Sequence, residues 1–385
     1  MNLHVLNDEK FFDPFVEKME ELKLLDNNVF VVKERGPLKF IKRKDLVYGR
    51  IGDKERIGDV SKYDKVFIHS FTFHLYRWVH QNTFKELNWM IWGKELYESN
   101  LVDYPLYESK TKSILQKIKR MRPMMSSYYR KAEQFFLQID IEKVYNKFDY
   151  VLTWIEPEYR FAIEHIKGLK AAHKSFAYTF EVDTEILSNL FDDKQLYEHK
   201  QKKMLRCIIG NSGASSNNHL DALEKIKDVN FHEVMLPVSY GDVDYISLLK
   251  KEVQLHYNYQ HITFADRFMR FDEYLHFFMG YDVFISNASR PIGMGNIWMA
   301  LLTGKLVFMN SKNLVFPFLR SLGLQIFDID DICRIYEILN KVNLTKNRDI
   351  ATNFLSKNKI TTLYENLFGD QLQQLQPYLT NRKIS

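Results

Sequence analysis

The chain has 385 residues, 45% of them hydrophobic and 15% aromatic, with 54 Lys and Arg against 49 Asp and Glu, for a net charge of +5. That length suits two domains of roughly 150–200 residues with well-filled cores. No apolar run reaches the ~18 residues of a spanning helix, Met1–Glu9 lacks the basic and apolar regions of a secretory signal, and no Cys/His spacing resembles a zinc site. Two cysteines, Cys207 and Cys333, lie far apart among apolar neighbours. They read as buried free thiols of a reducing compartment, so a cytoplasmic location is expected.

Short apolar runs alternate with helical patterns, the signature of parallel sheets with crossover helices. In the first half, strands are expected at 3–6, 29–32, 65–69, 88–92, 150–154 and 175–178, with helices at 71–81 and 157–166. His69 closes the run Val66-Phe67-Ile68-His69. The carboxyl end of a strand is where a catalytic base sits in such folds, and imidazole titrates near neutral pH; a histidine capping a loop is the alternative. The next strand runs into Trp92-Gly93-Lys94-Glu95-Leu96-Tyr97-Glu98. Glu95 or Glu98 offers a base or a ligand for an acceptor sugar, Trp92 and Tyr97 offer stacking surfaces, and solvated glutamates are the bland reading.

Residues 109–132 carry eight basic side chains and no acid, which leaves 46 basic against 49 acidic residues elsewhere. Ile114, Ile118, Met121, Met125 and Tyr128 recur at helical spacing, and Pro123 is expected to kink or divide the helix. A basic helix with one apolar stripe binds an anionic membrane surface, with Lys117, Lys119, Arg120 and Arg122 as its contacts. Alternatively, it packs on a domain core with a solvated basic face. Nucleic acid is not an expected partner, because no aromatic stacking platform accompanies the patch.

Residues 186–203 read as a linker and an entry segment. The second half repeats the alternation, with strands at 205–209, 233–237, 282–285 and 305–309, helices at 245–255 and 271–279, and a helical tail over 352–378. Two loops of small residues join strands to helices here. One contains Gly210, Asn211, Ser212, Gly213, Ser216 and Asn217; the other contains Arg290, Gly293, Gly295 and Asn296. Small residues let backbone N–H groups approach an anion at the positive end of a helix, and two such loops in one domain suit the diphosphate of a nucleotide-sugar. The pairs Asp242/Asp244 and Asp328/Asp330 precede helical patterns and read as helix caps rather than metal ligands. With positive helix ends and Arg290 to offset the diphosphate charge, no metal is required.

At these residues the sequence resembles the bacterial TDP-N-acetylfucosamine:lipid II N-acetylfucosaminyltransferases, glycosyltransferase family 56. The family's Ile-Trp-Gly-x-Asp-Leu-Tyr-Glu motif is similar to 91–98, with Glu95 in place of Asp. Its Gly-Asn-Ser-Gly-x-x-Ser-Asn-x-His motif is met by Gly210–Gly213, Ser216, Asn217 and His219. Pro237 to Tyr240, Gly293-Met294-Gly295, and Asn310 with Asn313 match further motifs in order, while the strand-end His-Gly pattern becomes His69-Ser70.

The resemblance implies an α/β chain of GT-B type, two Rossmann-like domains facing each other across a cleft. The expected boundaries are 1–188 for the acceptor domain carrying the basic helix, 189–352 for the nucleotide-sugar domain, which includes Tyr240, and 353–385 for a helical tail. It also implies no cofactor, a TDP- or GDP-linked sugar as substrate, and a polyprenyl-diphosphate-linked saccharide as acceptor at the inner face of the membrane. The expected activity is transfer of a 6-deoxyhexose, N-acetylfucosamine or fucose, in bacterial surface polysaccharide synthesis. The rivals are a nucleotide-sugar epimerase on the same fold and a non-catalytic saccharide- or lipid-binding protein.

Overall fold

Thirteen strands, all paired in parallel, form two sheets in the computed structural model, which describes residues 1–9, 11–33, 37–43, 48–50, 57–99, 101–121, 140–178, 202–257 and 261–369. The first sheet contains β1 (Asn2–Leu6), β2 (Asn28–Val32), β3 (Tyr48–Arg50), β4 (Lys65–His69), β5 (Leu87–Met90), β6 (Tyr150–Thr153) and β7 (Ala172–Ser175), in the order β3-β2-β1-β4-β5-β6-β7. The second contains β8 (Arg206–Ile209), β9 (Glu233–Pro237), β10 (Ile262–Ala265), β11 (Val283–Ser286), β12 (Leu306–Met309) and β13 (Phe327–Asp328), in the order β10-β9-β8-β11-β12-β13.

Central strands are buried on both faces, as helix-covered parallel sheets require; every residue of β1, β5, β11 and β12 is buried. In both sheets the strand order runs outward in one direction and then reverses. The reversal falls between β1 and β4 in the first sheet and between β8 and β11 in the second. Loops at the carboxyl ends of the strands flanking such a reversal form the ligand crevice of doubly wound sheets.

Two units divide the chain differently from the expected boundaries. One comprises Met1–Val102, Ala132–Phe180 and Lys357–Ser385, the other Asp103–Lys131 and Glu181–Ser356. The helix Ser109–Met121 therefore belongs with the second sheet rather than the first domain, and local contacts explain why. Asp221, in the first turn of the helix His219–Lys225, accepts hydrogen bonds from the Lys110 and Thr111 backbone amides at 2.8 and 2.9 Å, capping the basic helix at its N-terminus. Ile114 lies in the core beside Cys207, Leu223 and Leu249, with Ile118 packed against it. In the described turns the apolar stripe thus faces protein. Lys117 pairs with Glu252 at 2.5 Å, whereas Lys112, Lys119 and Arg120 stand exposed. Arg122, Pro123, Met125 and Tyr128 lie outside the described residues, as does most of the expected linker.

The tail also differs from a separate appendage. Helix Lys357–Phe368 places Tyr364, Leu367 and Phe368 in the core of the first unit with Phe15, Phe67 and Phe176. Cys207 is buried as expected, but Cys333 is exposed on a short 3₁₀ segment. Among the described residues, no helix is long and apolar enough to cross a membrane.

Candidate active site

The two small-residue loops follow β8 and β11, the strands that flank the reversal in the second sheet. Gly210 continues the ladder by donating its N–H to Ile285 O at 2.8 Å, then turns at a φ of +77°. Asn217 folds back inside the loop, its amide donating to Ser212 O at 2.9 Å. Gly213 pairs with Gly241 of the loop after β9, and its N–H donates to Tyr240 O at 2.7 Å. A Cβ on Gly241 would meet the Gly213 carbonyl carbon at 2.4 Å, so a larger residue there forces the backbones apart. His219 supports the turn from below. It is fully buried, its Nδ1 lies 3.1 Å from Tyr245 Oη, and burial pushes its pKa down to about 4, so it is neutral.

The loop after β11 closes on the first one. Gly293 has a φ of +66°, the left-handed region that side chains disfavour, and a Cβ there would meet Asn211 Cγ at 2.8 Å. It is also the N-cap of the helix Met294–Leu302, whose first amides precede the first intrahelical hydrogen bond. Gly295 is exposed in that first turn, and Tyr240 is 42% exposed with its hydroxyl 3.4 Å from the Asn211 amide. Asn211 Oδ1 and Ser216 Oγ are buried and find no partner among the described groups. This arrangement offers backbone amides, a helix N-terminus and unpaired polar atoms within two touching loops. Two expected contacts are turned elsewhere: the buried Arg290 donates to Pro291 O at 3.0 Å, and the Asn296 amide donates to Tyr274 Oη at 2.8 Å.

A clasp absent from the sequence reading fixes these loops. Glu108 accepts from Asn310 at 2.8 Å and from Lys225 at 3.3 Å, while Asn218 bonds both Glu108 N at 3.0 Å and Asn287 O at 3.2 Å. Asn313 holds the carbonyls of Ala288 and Arg290 at 2.9 and 2.8 Å. The motif Asn310/Asn313 thus pins the second loop. The aspartate pairs cap helices: Asp242 accepts from the Asp244 and Tyr245 amides, and Asp328 from the Asp330 amide. No cluster among the described residues has three or more side chains able to hold a metal.

In the first unit, the residues after β4 and β5 gather differently. His69 is fully buried; its Nε2 lies 3.0 Å from His4 Nδ1, and its Nδ1 lies 2.5 Å from Tyr178 Oη. Burial, with the His4 and Lys33 charges, holds its pKa well below the ordinary value. With both nitrogens occupied inside the protein, His69 is not placed to take a proton from a substrate, and its expected role as the base is corrected. Glu95 is buried too. Its Oε1 accepts from Trp92 N at 2.8 Å and from Trp89 Nε1 at 3.4 Å, whereas Oε2 has no partner among the described groups. Burial raises its pKa. Tyr97 cannot stack a sugar, because it is 2% exposed and lies on Phe161 with ring centroids 5.3 Å apart. Trp92 and Glu98 are half-buried, and Trp92 Nε1 donates to Tyr178 Oη at 2.8 Å.

Similar architectures occur in several solved structures. A glycosyltransferase from Rickettsia africae shares 13% identity at a TM-score of 0.59 over 95% of this chain and 97% of that one. Sucrose-phosphate synthase from Thermosynechococcus elongatus shares 10% at 0.59 over 99% of both chains. HepE from Anabaena, in complex with UDP and glucose, shares 12% at 0.56 over 99% of both. No curated protein sequence matches. The fold is GT-B, and the class it defines together with the sequence match below is a glycosyltransferase. Within that class, residues 184–367 match the sequence model of the family described as 4-alpha-L-fucosyltransferase, glycosyl transferase group 56.

Proposed function

We propose that the protein transfers a 6-deoxyhexose, N-acetylfucosamine or fucose, from a nucleotide diphosphate to a polyprenyl-diphosphate-linked saccharide, on the inner face of a bacterial membrane during surface polysaccharide synthesis. The observation that carries this reading is the meeting of Gly293 and Asn211 at the strand-order reversal of the second sheet, beside the N-terminus of Met294–Leu302. Negative charge grows on the diphosphate as the glycosidic bond breaks, and backbone amides preorganised there stabilise it without a metal. HepE, complexed with UDP and glucose, supports a nucleotide-sugar as ligand class, and the family match over the second half supports a fucose-type donor. The resemblance of the sequence motifs to lipid II N-acetylfucosaminyltransferases and the exposed Lys112, Lys119 and Arg120 support the membrane-bound acceptor. The carboxylate oxygen Glu95 Oε2 is left to accept the acceptor proton; otherwise the leaving diphosphate accepts it.

Thermal shift with TDP-, GDP- and UDP-linked hexoses and 6-deoxyhexoses tests the reading. A donor at 100 times its Kd stabilises a single-site protein by about 2.7 kcal/mol. One nucleotide class is expected to raise Tm clearly and to release sugar when a lipid-linked acceptor is added. No stabilisation by any member of the panel removes the proposal.

A further inference from the structure

Four hydrogen bonds run through the interior of the first unit and end on Trp92, and their direction is fixed at both ends. Indole Nε1–H only donates, so Tyr178 Oη accepts from it at 2.8 Å. At the other end, Asn28 Oδ1 only accepts. It receives His4 Nε2–H at 2.9 Å and the Asn2 amide at 3.1 Å, while Asn28 Nδ2 donates to Leu24 O. Neutral His4 then presents Nδ1 as an acceptor, so His69 Nε2 carries the proton of the 3.0 Å bond. His69 Nδ1 is left as the acceptor for the Tyr178 hydroxyl at 2.5 Å. Donation runs Trp92 to Tyr178 to His69 to His4 to Asn28, with no member able to reverse alone. A second proton would set two N–H groups against each other at His4 Nδ1, or an N–H against the Tyr178 O–H at His69 Nδ1.

His4 and His69 are fully buried among Phe15, Phe30, Phe67 and Phe368, so the chain is also held sideways. We infer that His4, His69 and Tyr178 are positioning residues that lock the Trp92 indole in one orientation, presenting the half-buried ring as a platform for the acceptor sugar. Glu95 completes the lock from the backbone side through Trp92 N. The platform role rests on the reading of the first unit as the acceptor side; the locking role rests on the hydrogen bonds alone.

Nitrogen-15 spectra of the whole protein decide it. Both histidines are expected as the Nε2–H tautomer, with an acceptor Nδ1, unchanged between pH 8 and 6. An Nδ1–H tautomer at either ring overturns the inference without any variant. The Trp92 indole signal, assigned by its loss in Trp92→Phe, is expected to be protected from exchange in the wild type. In Tyr178→Phe it is expected to exchange at least tenfold faster and to move towards the position of a solvent-bonded indole; an unmoved signal again overturns the lock. An octyl glycoside of an N-acetylhexosamine serves as the acceptor probe, and its Kd is expected to rise roughly tenfold in Tyr178→Phe and in Trp92→Phe. Probe binding untouched in both, with the indole signal moved, sinks the platform and the acceptor reading while the lock stands.

Discussion

The two sheets share a strand order, yet their carboxyl edges are furnished in opposite ways. Beyond β8, β9 and β11 the chain uses Gly210, Gly213, Gly241 and Gly293, so backbones approach each other closely. At the carboxyl edge of the first sheet, the end of β4 and the segments after β5 and β7 supply His69, Trp92, Glu95 and Tyr178, which bond one another in the interior. On the proposed function, the first edge would meet an anion with the helix end that follows Gly293. The second is held by a directed side-chain network, which on the proposed function would serve shape recognition of a sugar ring. Under the proposed function, a donor carrying its charge in the diphosphate and an acceptor presenting a hydroxyl would ask for this division.

The largest expected effect breaks the backbone-lined edge. Gly293→Val adds a branched side chain at a φ of +66° and drives its Cβ into Asn211. Thermal stabilisation by the nucleotide donor is expected to disappear while the protein still melts cooperatively. Nucleotide affinity within twofold of wild type in this variant places the diphosphate elsewhere.

A second effect sharpens the account of the side-chain-filled edge. Glu95→Gln keeps an acceptor oxygen for Trp92 N and removes only the ability to take a proton. As a base, Glu95 contributes about 10²–10⁴-fold, so kcat at saturating donor should fall by that factor with donor affinity preserved. Burial raises its pKa and the base must be ionised, so wild-type kcat should rise with pH along a limb above the ordinary carboxyl range. A loss below about tenfold and a flat profile leave Glu95 as a prop for Trp92 and assign the proton to the diphosphate.

Legibility in the sequence followed burial. β4 and β9 lie where the apolar runs put them, because strands buried on both faces read as continuous hydrophobic segments. The strands absent from the reading, β3, β10 and β13, are sheet edges, and every residue of β10 is only half-buried. β7, another edge, is polar and half-exposed; its expected position at 175–178 picked up Phe176, which packs in the core just after the strand ends. The glycine loops were legible because small residues between strand and helix leave a local signature. The Trp92 network was not, since His4, Asn28, His69 and Tyr178 meet across separations of up to 109 residues. Nor could local periodicity tell which core the helix 109–121 covers; the Asp221 cap and the Glu108 clasp decide that.

The smallest expected effect concerns that helix. Its stripe reads in the sequence either as a membrane contact or as packing on a domain core; Ile114 and Ile118 are spent on the second core, so the described turns have only charge to offer a membrane. Lys117 is committed to Glu252, and Lys110 bonds Glu224 at 3.1 Å. Lys119 and Arg120 stand exposed at the end of the helix, and each contributes roughly 1 kcal/mol near an anionic surface. Lys119→Gln with Arg120→Gln should therefore weaken binding to vesicles of anionic and neutral phospholipids by about 30-fold at low salt, since 1.4 kcal/mol is a factor of ten. Lys117→Gln should weaken it far less, because its charge is already opposed. Raising ionic strength should erase the difference, as exposed charges are screened beyond about 8–10 Å. Activity on a short water-soluble acceptor should stay unchanged in both variants. Equal vesicle binding by the double variant and the wild type at low salt would mean that this basic face only solubilises the second unit.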